Sequence, residues 1–247
     1  MLHTHGLDKF GPYFTFMKSL HHKIKLAFIL PNYKPKTRIG PHNEDVYSVL
    51  VGAILGDCFA NGATTACGER TLSGGVRFIF KRSVKHQEYL FWLFDFFRTR
   101  GYCSNNLPVK VVSSQKFGDK FHDCYRFNTY AFSSLLDLYK LFYNSKKKVI
   151  PNNIEDLLTP LAIAIWIMGD GHFKSPGLII ATNCFTKQEV ELLKKALENK
   201  FNIKSCLQKN NVNYQLYIKA ESLFLLKKLV LPYVVPSLRY KLGIKNR

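Results

Sequence analysis

Two apolar stretches, each ended by Gly-Asp, limit what this 247-residue chain can fold into more than any other feature. The first is NEDVYSVLVGAILGDCF (43–59) and the second TPLAIAIWIMGDGHF (159–173). Asn43 is a candidate helix cap, with Glu44 and Asp45 in the first turn, where acids are favoured. Thr159 is a second candidate cap, followed by Pro160 at the first helical position, where proline's missing N–H leaves no bond unmade. Between cap and Gly-Asp both segments are apolar nearly all round, so both helices are expected to be buried. The longest unbroken apolar run, 161–168, has eight residues. That is far short of the ~20 needed to cross a bilayer, which excludes a membrane-spanning chain.

The segments after the two helices repeat as well. The strand pattern VRFIFKRS (76–83) precedes a helix pattern at 85–102, and LIIATNCF (178–185) precedes another at 186–203. Further strand patterns come at 109–116 and 124–130 in one half, and at 204–210 and 213–219 in the other. Each half closes on a helix, at 133–143 and 221–230. Asp57 and Asp170 are 113 residues apart, Glu88 and Glu189 101, Ser134 and Ser222 88. Order is kept while the second half shortens, as trimming of surface loops would do. The expected fold is α+β, built as two pseudo-symmetric αββαββα halves, each an antiparallel sheet with helices on one face. The halves are placed at 43–150 and 151–247, after an N-terminal basic arm or linker at 1–42. Within that arm PNYKPKTRIGP (31–41) carries three prolines and reads as extended.

Charge narrows the partner. Thirty-six Lys+Arg face 17 Asp+Glu, a net +19. The bases are spread over strands and helices alike rather than along one amphipathic helix, which favours nucleic acid over an anionic membrane surface. The six cysteines form no C-x-x-C and no zinc spacing, and read as free thiols in a reducing compartment. Residues 1–44 hold seven Lys/Arg, only one of them Arg, a weak mitochondrial transit pattern at best.

The helix ends carry the chemistry. A carboxylate at a helix C-terminus meets the negative end of the dipole and costs about 0.3–1 kcal/mol. A bound cation would offset that at both ends, using Asp oxygens and unpaired terminal carbonyls as hard ligands suited to Mg²⁺. Gly52 and Gly56 lie four apart, with Ile165 and Gly169 at the matching positions and Ala162 extending the small surface. Side-by-side packing on these residues would bring Asp57 and Asp170 out together. Two such carboxylates repel unless metal binds between or beside them, and a pair of that kind suits phosphodiester hydrolysis.

LVGAILGDC (50–58) and IAIWIMGDG (163–171) resemble the duplicated motif of LAGLIDADG homing endonucleases of the single-chain type. The phrase 146–171 and the terminal PSLRYKLG (236–243) resemble the mitochondrial omega-intron branch in particular. The resemblance implies that the motif helices form the internal interface and that both sheets form a saddle on DNA. Asp57 and Asp170 would be the catalytic, metal-binding residues, with the carbonyls of Gly56 and Gly169 as further ligands. Lys148 and Lys241 would lie near a scissile phosphate. The chain departs from the pattern at Cys58 and at the bulky Ile165-Trp166, so interface packing is expected to be asymmetric.

Strand alternation supplies the candidates for DNA contact. They are Arg77 and Lys81 (sharing a face with Ile79), Arg126 and Asn128, Lys204 and Gln208 (with Cys206), and Gln215, Tyr217 and Lys219. His86, His172 and the N-terminal histidines read as surface residues. The expectation is a monomeric, Mg²⁺-dependent enzyme of an intron-bearing organelle, the mitochondrion foremost. It would cut both strands of a long asymmetric DNA target and leave short 3′ overhangs, with Mn²⁺ substituting and Ca²⁺ supporting binding alone. The alternative is an intron RNA maturase, and a third reading is a basic DNA-binding protein without catalysis.

Overall fold

In the computed structural model the described residues are 38, 40–64, 70–117 and 120–245, with side chains described outside 63–74 and 113–122. Most of the arm expected at 1–42 therefore lies outside the described residues, as does Cys67.

The first motif forms helix α1 (Glu44–Leu55) and is followed by strands β1 (Phe59–Thr64) and β2 (Arg70–Ser83). Helix α2 (Gln87–Thr99), strands β3 (Val109–Phe117) and β4 (Lys120–Asn128), and helix α3 (Leu136–Phe142) complete the unit. A hairpin of β5 (Tyr143–Asn144) and β6 (Lys147–Lys148) and a short helix α4 (Ile154–Leu157) lead to the second motif helix, α5 (Pro160–Asp170). The series then repeats as β7 (Gly171–Lys174), β8 (Gly177–Ile180), α6 (Lys187–Phe201), β9 (Ser205–Asn210), β10 (Asn213–Ile218) and α7 (Ala220–Val230). The sheets have matching orders, β1-β2-β4-β3 and β7-β8-β10-β9, all antiparallel. The α+β fold of two αββαββα units is thus as the sequence predicts.

Alternation decides which face of each sheet is covered. Val76, Phe78 and Phe80 are buried, and Phe80 stacks on Phe127 and tilts against Phe97 of α2. Leu178 and Ile180, with Leu216 and Ile218, take the same inward positions in the second sheet. Along α1 ten of twelve residues are buried, and along α5 eight of eleven. Nearly uniform apolarity has the expected result, since each helix packs on its own half and also on the other motif helix. Gly52 makes the close approach possible. A Cβ there would fall 2.2 Å from the Ala162 carbonyl oxygen and 2.8 Å from the Ile165 Cβ. Glycine on one helix thus faces Ala162 and Ile165 on the other, the asymmetric packing expected from the second motif.

The local chemistry differs from expectation at several points. Thr159 caps α5, accepting from the Ala162 N–H at 3.1 Å. Asn43 occupies the cap position of α1, but its side chain makes no capping bond, and Asp45 is drawn into a buried ion pair with Arg100 at 2.8 Å. Strands β1 and β7, directly after the motifs, have no counterpart in the sequence patterns. FANGAT and GHFK are short and do not alternate, so pairing with β2 and β8 makes them strands. Strand β9 starts at Ser205 and β10 ends at Ile218, so Lys204 and Lys219 flank strands rather than sit in them. His42 is not a surface residue. It is half-buried, with its ring nitrogens 2.6 Å from Tyr102 Oη and 2.7 Å from Ser134 Oγ. Among the described residues five cysteines are free, as expected.

Candidate active site and nucleic-acid face

The two helix ends meet. Gly56 caps α1, its N–H donating to the Gly52 carbonyl at 3.2 Å, and Asp57 is the next residue. Asp170 is the last residue of α5. A Cβ at Gly169 would sit 3.7 Å from the Asp57 backbone nitrogen, and one at Gly56 would sit 3.7 Å from Asp170 Oδ2. The two carboxyl groups are close enough to act on each other's ionisation.

Each acid has its own lysine. Lys148, delivered by the β5–β6 hairpin, donates to the Gly56 carbonyl at 2.5 Å. Lys241, on the 3₁₀ helix Pro236–Leu242, donates to the carbonyls of Met168 and Gly169 at 2.8 Å each. The structure thus brings together all four residues expected to act. It also shows the Gly56 and Gly169 carbonyls already engaged by ammonium groups, which a cation bound there would share.

A fifth residue was missed. Arg82, near the end of β2, places Nη1 2.9 Å from Asp57 Oδ2, and its side chain is 11% exposed. Its guanidinium lies over the Tyr89 ring at 5.5 Å, and the Tyr89 hydroxyl donates to the Ile165 carbonyl at 3.3 Å. One signal could have revealed it. Arg82 has the inward parity of Phe78 and Phe80, and a charge at an inward strand position needs an ion-pair partner.

Electrostatics separate the two acids. Burial alone would raise both. For Asp57 this is overcome by Arg82, by interaction with the Asp170 carboxyl, and by Lys148 and Lys241, so its carboxyl titrates below the usual range. Burial, then the negative charge of Asp57, pushes Asp170 well above it. The two acids therefore titrate apart, Asp170 holding its proton to higher pH than Asp57. Lys241 is pulled down to about 8 by burial first and Arg82 second.

This donor set fits a hard divalent cation. Two neighbouring carboxyl groups that raise each other's cost of ionisation would be relieved by a cation bound between them, and the nearby carbonyls are oxygen donors. Among the described residues no group of three or more His, Cys, Asp or Glu could hold a metal. Two carboxylates with water and substrate phosphate completing the shell suit Mg²⁺ or Mn²⁺ rather than zinc.

The sheet face away from the helices carries most of the other candidates in register. In the first sheet Lys81 lies opposite Arg126, which lies opposite the exposed Val109. Ile79 pairs with Asn128 and Arg77 with Asn61. In the second sheet Gln215 lies opposite Gln208, and Tyr217 opposite Cys206. Lys204 and Lys219 stand together at the strand ends, joined through the Lys219 N–H and the Lys204 carbonyl at 3.0 Å. The Lys204 ammonium is 3.9 Å from Glu221.

A doubled αββαββα fold with two acid-tipped helices packed at its axis is the architecture of the LAGLIDADG class. The chain belongs to the LAGLIDADG DNA endonuclease family, whose pattern matches residues 47–226. It is 37% identical over 214 residues to the cytochrome b mRNA maturase bI2 of Saccharomyces cerevisiae, an alignment covering 83% of this chain and 49% of that protein. The chain thus spans about half the length of that relative. It is 36% identical to the Debaryomyces hansenii protein of the same name, over 82% of this chain and 75% of that one. With the intron-encoded endonuclease ai4 of Dictyostelium discoideum it shares 40% over 158 residues, 62% of this chain and 99% of the relative. The solved structure of the homing endonuclease I-WcaI bound to its DNA recognition sequence superposes with a TM-score of 0.72 at 23% identity, covering 90% of this chain and 97% of that one.

Proposed function

We propose that the protein is a site-specific DNA endonuclease of the intron-homing kind. It would hydrolyse one phosphodiester in each strand of a long asymmetric duplex and leave short 3′ overhangs. The observation that carries this reading is the meeting of Asp57 and Asp170 at one point, each with its own lysine on the adjoining glycine carbonyl.

Asp57 and Asp170, with the carbonyls of Gly56 and Gly169, would hold Mg²⁺, for which Mn²⁺ substitutes, while Ca²⁺ supports binding without cleavage. The bound metal supplies charge to stabilise the attacking and leaving oxygens. Lys148 and Lys241 bring N–H donors to the scissile phosphates, polarising water or stabilising the charged transition state. The outward sheet faces, with Arg77, Lys81, Arg126, Asn128, Gln208, Gln215 and Tyr217, would lie along the major groove, flanked by Lys204 and Lys219. The protein acts as a monomer in the organelle that carries the host intron, the mitochondrion foremost. Residues 43–150 and 151–247 each supply one half of the site.

Cleavage of DNA spanning the uninserted intron site, in Mg²⁺, is the test. Wild type should give a discrete double-strand cut. Asp57→Asn and Asp170→Asn should each lower it by about 10²–10³-fold or more while binding in Ca²⁺ persists. Failure of wild type to cut, or loss of binding in the variants, overturns the assignment. A second reading, intron RNA maturase, is favoured by the two relatives of that name at 36–37% identity. Splicing of the host intron with and without the protein decides it.

A further inference from the structure

Each lysine reaches its glycine carbonyl from a segment that the strand after the acid holds down. Those strands match by register. Ala60, three residues past Asp57, pairs with Phe78, and Phe173, three residues past Asp170, pairs with Leu178. At the first position the Ala60 N–H donates to Tyr143 Oη at 3.1 Å, and Tyr143 pairs with Lys148 across the β5–β6 hairpin. Tyr143 is buried, its ring stacked on Tyr139 at 4.5 Å and edge-on to Phe59 at 6.4 Å. At the second position the Phe173 ring lies against Gly243, two residues past Lys241. A Cβ at Gly243 would fall 2.5 Å from Phe173 Cε2, and its φ of +72° ends the 3₁₀ helix that carries Lys241. The two contacts are built with sizes exchanged. In the first half the strand supplies an alanine and the lysine segment the ring. In the second the strand supplies the ring and the lysine segment a glycine.

Resting on the nuclease reading, we infer that Tyr143 and Phe173 are positioning residues, each registering the lysine of its own half against the helix end that carries the acid. A lysine ammonium rides on a flexible four-carbon stem, so it is placed only as well as the backbone beneath it. Pinning that backbone to the strand that leaves the acid gives acid and lysine a common reference. A displacement of ~1 Å at a reacting centre is enough to cost ~10²-fold in rate. Core burial does not account for Phe173, which is 38% exposed, and the Tyr143 hydroxyl is committed to a single backbone N–H.

The test uses the full chain and compares the cleavage rate at saturating protein in Mg²⁺ with DNA affinity in Ca²⁺. Phe173→Ala should slow cutting by about 10–100-fold and leave affinity within about threefold. Phe173→Tyr keeps the ring and should cut within about threefold of wild type. Tyr143→Phe loses only the hydroxyl and should slow cutting by about tenfold, with affinity again unchanged. Plasmid nicking then measures the cycle that combines Phe173→Ala with Lys241→Ala. The double variant should be no slower than Lys241→Ala, because the ring acts through the lysine. Where Lys241→Ala leaves no measurable nicking, the comparison of rate with affinity decides. Thermal unfolding shows whether each variant is folded, and Tyr143→Phe carries the test if Phe173→Ala is not. Unchanged cutting by folded variants, affinity losses that match the rate losses, or full additivity in the cycle overturns the inference while the nuclease reading stands. A wild type that does not cut overturns both.

Discussion

The two halves share one topology but hold it with different chemistry. The first is built on long strands and aromatic rings. β2 runs 14 residues, and Phe80, Phe97 and Phe127 pack between sheet and helix. It also carries a buried ion pair, Asp45–Arg100, and an N-terminal clip in which Arg38 lies 4.4 Å over Tyr130 and donates to the Ala131 carbonyl. The second half has strands of four to six residues, a core that is aliphatic apart from Trp166 and Phe185, and a helix α6 opened by a full capping box of Thr186 and Glu189. What the halves have in common lies at the axis: apolar motif helices, a terminal glycine, an acid and a lysine. Side chains far from the axis can differ freely if the sheet order is kept, whereas those at the axis are held to one another.

That contrast can be broken from its strongest point downwards. Arg100→Ala leaves Asp45 buried without its partner and should cost about 3–5 kcal/mol, with amide-exchange protection lost first in α1 and α2. Equal loss in both halves would show that they unfold as one unit. At the axis, Gly52→Ala drives a methyl group into the Ala162 carbonyl and should cost about 1–3 kcal/mol in urea unfolding. Gly169→Ala meets nothing closer than 3.5 Å and should cost much less. Next is a pH effect confined to the first half. Burial lowers His42 from 6.5 to about 4, so the unfolded chain binds a proton over that window that the folded one does not. Stability should therefore fall as pH drops from about 6.5 towards 4, and His42→Gln should flatten that part of the curve in denaturant midpoints. Smallest is the saddle itself. Lys81 and Arg126 stand where the second sheet has Ala181 and Gln215. Lys81→Ala should reduce the slope of log affinity for DNA against log salt by about 1, and Gln215→Ala should leave the slope unchanged.

The sequence showed the doubled layout because hydrophobic period and capping are local. Thr159-Pro160 and the apolar runs need only near neighbours to be read. Strands β1 and β7 escaped because six and four residues containing glycine have no pattern until a partner strand is present. Arg82 escaped for the same reason, since its partner lies 25 residues away in sequence and only the register of β1 on β2 brings the two together. Asn43 shows the reverse error, a good local cap whose side chain the tertiary structure leaves unused. The two acids of the candidate centre were found because duplication doubled their signal, the two lysines only through the resemblance of 146–171 and 236–243, and Arg82, present once, had no such echo.

The lysine contacts bear on how the molecule could be taken apart. Lys148 reaches the glycine of its own half, and so does Lys241. Neither helix end borrows its lysine from the other half, although both need the other's helix for packing. Each half therefore carries its own acid–lysine pair, and a cut between residues 148 and 160 would leave one pair on each side. A protein assembled from two copies of the first half would carry Arg82 twice, and one from two copies of the second would carry none.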